Sequence, residues 1–491
     1  MLRDRKTQCQ EGYEIVLLEE LVPQDHLLRK ISRAVDFSFI HDLCRDLYCP
    51  DNGRPAIPPE MLFKMLLLGY LYGIKSEVKL ADMVNENIAF KWFLGLKLAE
   101  KGPNHATISI NRARRFRDND IAERIFDEIL RQCCRKGLVG GEILYTDSTH
   151  VKAKANKHKK VLVTVEETPR EYLEALDAQV DLDRQVVGKK AFERDEDDPK
   201  GGSSQGKDTT RMQSTTAPDS GQLSKEGKPD GFHYSEHRTV DSLHNVVVNV
   251  DITAANIHDT TPLPQLLRQI EQRLGKLPAY MGLDAGYHNA PTAHLLEQAG
   301  IQGVIGYRRH SYKTEYFGKW RFHYDPEYDH YICPMKQRLY WRTTNREGYR
   351  EYYSDSKICG QCPEKAQCMA STARRRQITR HVWQDALDTC TDFVKTAQGR
   401  RLYERRKETI ERSFAEAKEN HGLRYARMLG KANMREQSFL TATVQNIKRL
   451  VKAYLLLFRA KFPVLSLTDF QNQHATYPLM HEDPSAARGL C

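Results

Sequence analysis

The chain has 491 residues, 40% of them hydrophobic and 29% charged, with a formal net charge of +10. That length is too great for one simple core and predicts two to four modules. The longest apolar run, Met65 to Ile74, is too short to span a bilayer, so no membrane segment is expected.

The isoelectric point of 8.9 favours a polyanionic partner over an acidic one, although a generic basic surface would give the same figure. Arg3, Asp4, Arg5 and Lys6 precede no apolar stretch of the kind a secretory leader carries. Eleven cysteines, an odd number, speak against a disulfide framework and for a reducing cytoplasm.

Residues 1–135 read as an all-helical N-terminal domain. Leu62, Met65, Leu66 and Tyr70 recur at helical spacing behind Pro58 and Pro59, which suit a helix start. Leu80, Met83 and Val84 mark a shorter helix. Ile121, Ile125, Ile129 and Cys133 mark another, with Asp118 or Asp120 as its N-cap. The short helices between Lys64 and Trp92 fit a helix-turn-helix. Arg112, Arg114, Arg115 and Arg117 crowd one segment that could neutralise phosphates, or could be a solvated helix face.

Residues 140–310 read as the first part of an α/β core with a mixed sheet. Ile143-Leu144-Tyr145 is a short strand expected to stop on Asp147; His150, Lys152 and Lys154 alternate beyond it, the lysines placed to touch DNA phosphates. Alone, Asp147 reads more simply as a turn or cap residue. A flexible insertion is expected over about 160–230: Val165 to Val187 is charged and helical, and Arg194 to Asp230 is polar and without periodicity. His244 to Thr253 is a central strand after a turn. His258-Asp259 is expected in a loop near the site, with Asp259 capping a helix Pro264–Leu274. Ala279 to Leu283 is a buried strand ending on Asp284, where Ala285-Gly286 lets the chain turn close to a ligand. Asn289 caps a helix to Gln298, Gly300 stops it, and Ile301 to Tyr307 is the next strand, followed by Arg308 and Arg309.

Residues 311–400 form an insertion with Cys333, Cys359, Cys362 and Cys368. A Cys-Gly-Gln-Cys knuckle suits a structural Zn²⁺, and free thiols are the alternative. Residues 401–462 close the core. Tyr403, Ile410, Phe414 and Ala417 fall on one helical stripe, Glu411 lies beside it, and Lys418 shares Glu411's face. Arg401, Arg405, Arg406, Lys407 and Arg412 form a positive collar, with Arg424 and Arg427 beyond. A long helix covers 434–461, with Phe439, Val444, Ile447 and Leu450 under the sheet. Residues 463–491 are a polar tail ending in an unpaired Cys491.

Tyr145 to Lys152, the block Ala254 to Asp259, Asp284 to Asn289 and Tyr403 to Gly430 together resemble the DDE transposases of bacterial insertion sequences, of the IS-eleven-eighty-two-like group. Tyr403, Arg406, Glu411 and Lys418 match that family's tyrosine-arginine-glutamate-lysine signature, with the Arg406–Glu411 gap one residue longer than in its commonest form. The resemblance implies an RNase-H-like mixed-sheet catalytic core with insertions. It implies Asp147, Asp284 and Glu411 as catalytic ligands of two Mg²⁺ (or Mn²⁺) ions. It also implies DNA contacts from Lys152, Lys154, Tyr403, Arg406, Lys418, Arg424 and Arg427, a homodimer on double-stranded DNA, and a bacterial, nucleoid-associated protein. Two other readings stay open: a catalytically inactive DNA-binding descendant, and a zinc-binding interaction module whose acids are structural.

Overall fold

The computed structural model describes residues 15–49, 52, 56–116, 119–165, 170–192, 209–224, 229–307 and 316–461. Arg117, Asp118, Arg308, Arg309 and the tail from Pro463 to Cys491 lie outside them. The chain divides into two compact units. One holds residues 1–140, 242–250 and 412–491, the other residues 141–241 and 251–411.

The first unit is helical. Its helices are α1 (Leu18–Leu21), α2 (Leu27–Ala34), α3 (Phe39–Cys44), α4 (Pro59–Leu71), α5 (Glu77–Glu86), α6 (Ile88–Leu94), α7 (His105–Asn111) and α8 (Ile121–Arg135). Caps set the boundaries. Ser76 accepts the Lys79 N–H at 3.3 Å, Asn87 the Phe90 N–H at 3.1 Å, and Asn104 the Ala106 N–H at 2.9 Å. Helix α4 buries Leu62, Phe63, Met65, Leu66, Leu67, Leu68 and Tyr70, so it runs through the middle of the unit. Asp120 does stand before α8, but in the left-handed region and without a capping bond; its carboxylate faces Arg435 at 3.3 Å instead. The arginine cluster is partly spent on the fold: Arg112 is buried and paired with Glu77 and with Glu436.

The second unit begins with β1 (Ile143–Lys152), β2 (Lys160–Val165), α9 (Arg170–Val186), β3 (Thr209–Ser214), β4 (Gly221–Leu223) and β5 (Gly231–Asp241). Strand β6 (Val247–Ala254) enters it with Asp251. Then come α10 (Leu263–Leu274), β7 (Tyr280–Leu283), α11 (Ala290–Gln298) and β8 (Gln302–Ile305). Strand β1 pairs antiparallel with β5 from Leu144 to Lys152 and parallel with β7 from Ile143 to Tyr145; β7 pairs parallel with β8, and β6 pairs with β5. Leaving out the short β2, β3 and β4, the order is third, second, first, fourth, fifth. That is the order of an RNase-H-like sheet, as expected. Asn245, with φ 57°, makes the turn before β6. Asn289 caps α11 through the Thr292 N–H at 2.9 Å, and Gly300 takes φ 68° after it.

Three expectations give way here. Strand β1 does not stop on Asp147 but runs five residues past it, because β5 continues to pair with it. The polar stretch about 160–230 contains β2 with β3 and, at the sheet's edge, β4. Val161, Leu162, Val163 and Val165 make β2 an apolar, β-branched run, and backbone pairing brings the more polar β3 alongside it. Helix α10 starts behind Pro262 without a side-chain cap, so Asp259 does not cap it.

The cysteine-bearing insertion folds as an antiparallel sheet, in the order β13-β12-β11-β10-β9. Its strands are β9 (His323–Asp325), β10 (His330–Ile332), β11 (Arg338–Thr344), β12 (Tyr349–Tyr353) and β13 (Gln377–His381). The short α12 (Ser356–Gly360) and α13 (Lys365–Cys368) lie between the last two. Phe317, Phe322, Tyr331, Leu339, Tyr352 and Ile378 form its core. Helices α14 (Gln384–Lys395) and α15 (Ala397–Glu404) lead out of it, and a tight turn, Arg405–Glu408, ends at Thr409 (φ −108°, ψ −91°). Helix α16 (Ile410–Asn420) starts only there. The single stripe expected from Tyr403 to Ala417 is therefore broken: Tyr403 belongs to α15, while Ile410, Phe414 and Ala417 are buried on α16.

Back in the first unit, α17 (Lys431–Lys461) packs on α8, α2 and α4. Phe439 meets Phe126 with ring centroids 5.4 Å apart. Asn446 on α17 both accepts the Val247 N–H and donates to the Val247 carbonyl, each at 2.8 Å. Val444 and Ile447 line a small void with Ile31, Phe37 and Leu67, so α17 packs on helices where sheet packing was expected.

Candidate active site

Pairing between β1 and β7 ends at Tyr145↔Gly282, which leaves the β7 side of β1 without a neighbour from Thr146 onward. Asp147 sits on that ledge. By strand alternation it shares a face with Tyr145, whose ring lies over Gly282. A Cβ on Gly282 would fall 2.3 Å from that ring, so only glycine fits. The Tyr145 hydroxyl donates to the Leu402 carbonyl at 2.8 Å, which fixes the end of α15 beside the strand.

Both oxygens of Asp147 are engaged. One accepts the Ser148 N–H at 2.7 Å, the other a guanidinium N–H of Arg406 at 2.7 Å. Burial pushes the Asp147 carboxyl up to about 6; Arg406 opposes that shift, and the negative charges of Asp284 and Asp259 add to it. Asp284 follows β7 directly and accepts the Gly286 N–H at 2.8 Å, a capping role that occupies one oxygen. Tyr287 is fully buried among the same groups. Its phenol is raised well above its usual value by burial and by Asp259, Asp147 and Asp284, and its hydroxyl lacks a hydrogen-bond partner in the structure.

Asp147, held by Arg406, thus feels the charges of Asp284 and Asp259, with a buried, unpartnered hydroxyl beside them. The donor set is oxygen only, the kind that hard divalent cations prefer. An uncompensated negative charge of this size fits such an ion. Glu411 stands apart. It is exposed in the first turn of α16 and is not among the charges that move Asp147. Among the described residues no three His, Cys, Asp or Glu side chains are spaced to hold one metal.

The remaining predicted residues take varied places. Arg406 is buried, 6% exposed, and turned onto Asp147, with one guanidinium nitrogen 3.5 Å from the Tyr403 hydroxyl. Tyr403 packs on Gly306, where an added Cβ would meet its hydroxyl at 2.1 Å. Lys152 closes β1 opposite His233 and is half-buried, and Lys154 is exposed beyond it. Lys418, Arg424 and Arg427 belong to the first unit. Arg424 is exposed and paired with Glu419. Arg427 lies over the Tyr70 ring at 3.9 Å and donates to the Ile74 and His421 carbonyls, both at 3.2 Å.

The four cysteines line one small pocket of the insertion. Cys333 begins a tight turn: its N–H donates to the Gln337 carbonyl at 2.8 Å, and its sulfur accepts the Gln337 N–H at 3.3 Å. Lys336 holds φ 57° inside that turn. Burial raises the Cys368 thiol, Arg376 opposes this, and Cys359, Cys333 and Cys362 add to it, so the four sulfur groups feel one another. Arg376 donates to the Cys368 and Phe317 carbonyls at 2.8 and 2.7 Å, while its Nε is buried without a partner.

Sequence reasoning placed Asp259 near the site without giving it a role in the charge there, and it missed Tyr287 and Arg376. Tyr287 stands in the run Asp284-Ala285-Gly286-Tyr287, so its nearness to Asp284 was legible; its burial was not. Nothing local marks Arg376 among its neighbours Arg374 and Arg375.

Residues 16–114 match a transposase domain (DUF772), and residues 332–451 match a transposase DDE domain. No curated protein matches the chain. Among solved structures, the piggyBac transposase synaptic complex with hairpin DNA is similar over 92% of this chain and 84% of that one, at 12% identity and a TM-score of 0.31. A score that low carries no argument about fold or site.

Proposed function

The chain is a DDE-type transposase, and from that premise we propose that Asp147, Asp284 and Glu411 hold two Mg²⁺ (or Mn²⁺) ions and cut and join DNA at the ends of an insertion sequence. The observation that carries this reading is Asp147, held by Arg406 at the ledge where β1 outruns β7 and near enough to Asp284 for that charge to act on it. When bound, the ions activate the attacking oxygen and stabilise the leaving one in each in-line displacement.

The protein's own groups prepare that site. Arg406 holds Asp147 in one orientation at 2.7 Å, and the Gly286 N–H does the same for Asp284 at 2.8 Å. Tyr287 leaves a buried hydroxyl without a hydrogen-bond partner beside these acids. Thr409 separates the turn at Arg406 from α16, whose first turn carries Glu411. Lys152, Lys154, Lys418 and Arg424 hold backbone phosphates. Arg406, Arg427 and Tyr403 act by fixing the loops that carry the site. Two element ends must be joined, so the working form is a homodimer on double-stranded DNA in the bacterial nucleoid. Among the described residues no helix is long and apolar enough to cross a membrane.

Asp147→Asn is expected to abolish Mg²⁺-dependent cleavage of element-end DNA while binding persists; unchanged cleavage removes Asp147 from the mechanism. Glu411→Gln should be as damaging. If it retains cleavage while Asp259→Asn loses it, the third acid is Asp259. A binding-only descendant would show no cleavage in any form, and the presence of all three acids argues against it.

A different ion, Zn²⁺, is proposed for Cys333, Cys359, Cys362 and Cys368. The specific observation is that the four cysteines line one pocket with Arg376, whose Nε is buried without a partner. Four thiolates on one zinc leave a double negative charge, which a buried guanidinium offsets. Metal analysis of the native protein should find close to one zinc per chain, reduced in Cys359→Ser. Protein isolated without zinc, with four freely titrating thiols, refutes the site.

A further inference from the structure

The insertion sheet has two unlike faces. One packs Tyr331, Leu339, Tyr352 and Ile378 into the core. The other is open. On the central strand β11, Arg338, Tyr340 and Arg342 are all exposed, Tyr340 by 49%. Opposite Tyr340 on β12 stands Tyr353, with the Arg375 guanidinium 3.9 Å above its ring. On the other side, His330 of β10 pairs with Tyr340, their rings 6.1 Å apart, and Tyr328, 67% exposed, lies 6.1 Å beyond His330. Tyr353, Tyr340 and Tyr328 therefore cross this face, with the ring of His330, only 2% exposed, between the last two, flanked by arginines.

Charge points the same way. Residues 316–381 hold 13 Lys and Arg against 7 Asp and Glu, a surplus of six, where the whole chain of 491 residues has a surplus of only ten. Glu351, the acid on the open face of β12, already accepts the Tyr353 hydroxyl at 2.7 Å. Among the described residues neither Arg338, Arg342 nor Arg375 is paired with a carboxylate. Exposed rings on a flat sheet can stack only on bases whose faces are free, and a duplex hides those faces.

We propose that this face is a platform for an unpaired DNA strand, its bases stacking on Tyr340, Tyr328 and the Arg375–Tyr353 pair, its phosphates held by Arg338 and Arg342. The choice of DNA rests on the transposase reading; the stacking surface itself does not. The strand served is the one freed when an element end is opened.

The test uses the full chain without added Mg²⁺ or Mn²⁺, so that no cleavage occurs, with a labelled single-stranded oligonucleotide and the blunt duplex of the same sequence, followed by anisotropy. Tyr340→Ala should weaken single-strand binding by roughly tenfold and leave duplex binding unchanged, while Tyr340→Phe keeps both. Arg338→Gln with Arg342→Gln should weaken the single strand further and flatten its salt dependence. Equal losses on duplex and single strand in Tyr340→Ala, or no loss on either, overturn the proposal. Because the readout is binding without added Mg²⁺ or Mn²⁺, it stands or falls separately from the cleavage tests on Asp147 and Glu411.

Discussion

Asp147 and Arg406 are 259 positions apart in the chain, yet they form the closest charged contact of the site, at 2.7 Å. Their side chains are 18% and 7% exposed, so the pair is largely out of water. Removing one member of such a pair strands the other, at a cost of about 3 kcal/mol. Arg406→Ala is therefore expected to lower the urea midpoint by that equivalent, and Asp147→Asn in the same background should recover much of it. An arginine in a basic run looks like a phosphate contact, and its local sequence says nothing of the carboxylate it meets. Tyr287 teaches the same lesson. Its ring was in view, but only the fold removes it from water and sets it among acids.

Glycine and threonine decide the geometry of the elements around the site. Gly282 lets the Tyr145 ring cross β7, and Gly282→Ala would overpack that crossing by about 1–3 kcal/mol. A thermal melt should register the loss, and the Tyr145–Leu402 link predicts that cleavage falls with it. Thr409, whose hydroxyl donates to the Arg405 and Arg406 carbonyls, breaks what the apolar spacing announced as one helix. The spacing was right for α16, but the period does not see a side chain that bonds back to its own backbone.

Helix α16 is tied to α17 within the first unit through Glu416. Burial pushes that carboxyl up, but nearby His421, the hydrogen bonds from Lys448 and Arg449 and the charges of both outweigh burial and hold it far below the usual range. A carboxylate depressed in the fold stabilises the protein above its unfolded value of about 4.5 and loses that contribution as pH falls below it. Stability should thus fall on acidification below about pH 4.5. In Glu416→Gln the protein should be weaker at neutral pH and its melting temperature flatter over that acid range.

For the whole molecule, the division into two compact units falls between Glu411 and Arg412, inside the stretch that reads in sequence as one closing segment. Asp147, Asp284, Arg406 and Glu411 all lie in the second unit, while Lys418 of the same signature lies in the first. Zinc removal is expected to act on the insertion alone. A strong chelator should speed protease cleavage within residues 316–381 and leave the helical unit's far-ultraviolet signal in place; loss of both together would mean that the insertion and the helical unit unfold as one.

Sequence alone determined the strand ending at Asp284, the strand that carries Asp147, the cap at Asn289, the helical start of the chain and the four cysteines, because each is written in neighbouring residues or a short period. Tertiary structure decided the rest. It carried β1 past Asp147, paired β2 with the polar β3 and β4 with β5, turned Arg406 inward, set Asp259 and Tyr287 near Asp147, and left Tyr340 and its arginines on an exposed face. Those outcomes depend on which distant segment lies alongside, and a partner hundreds of residues away leaves no mark on local spacing.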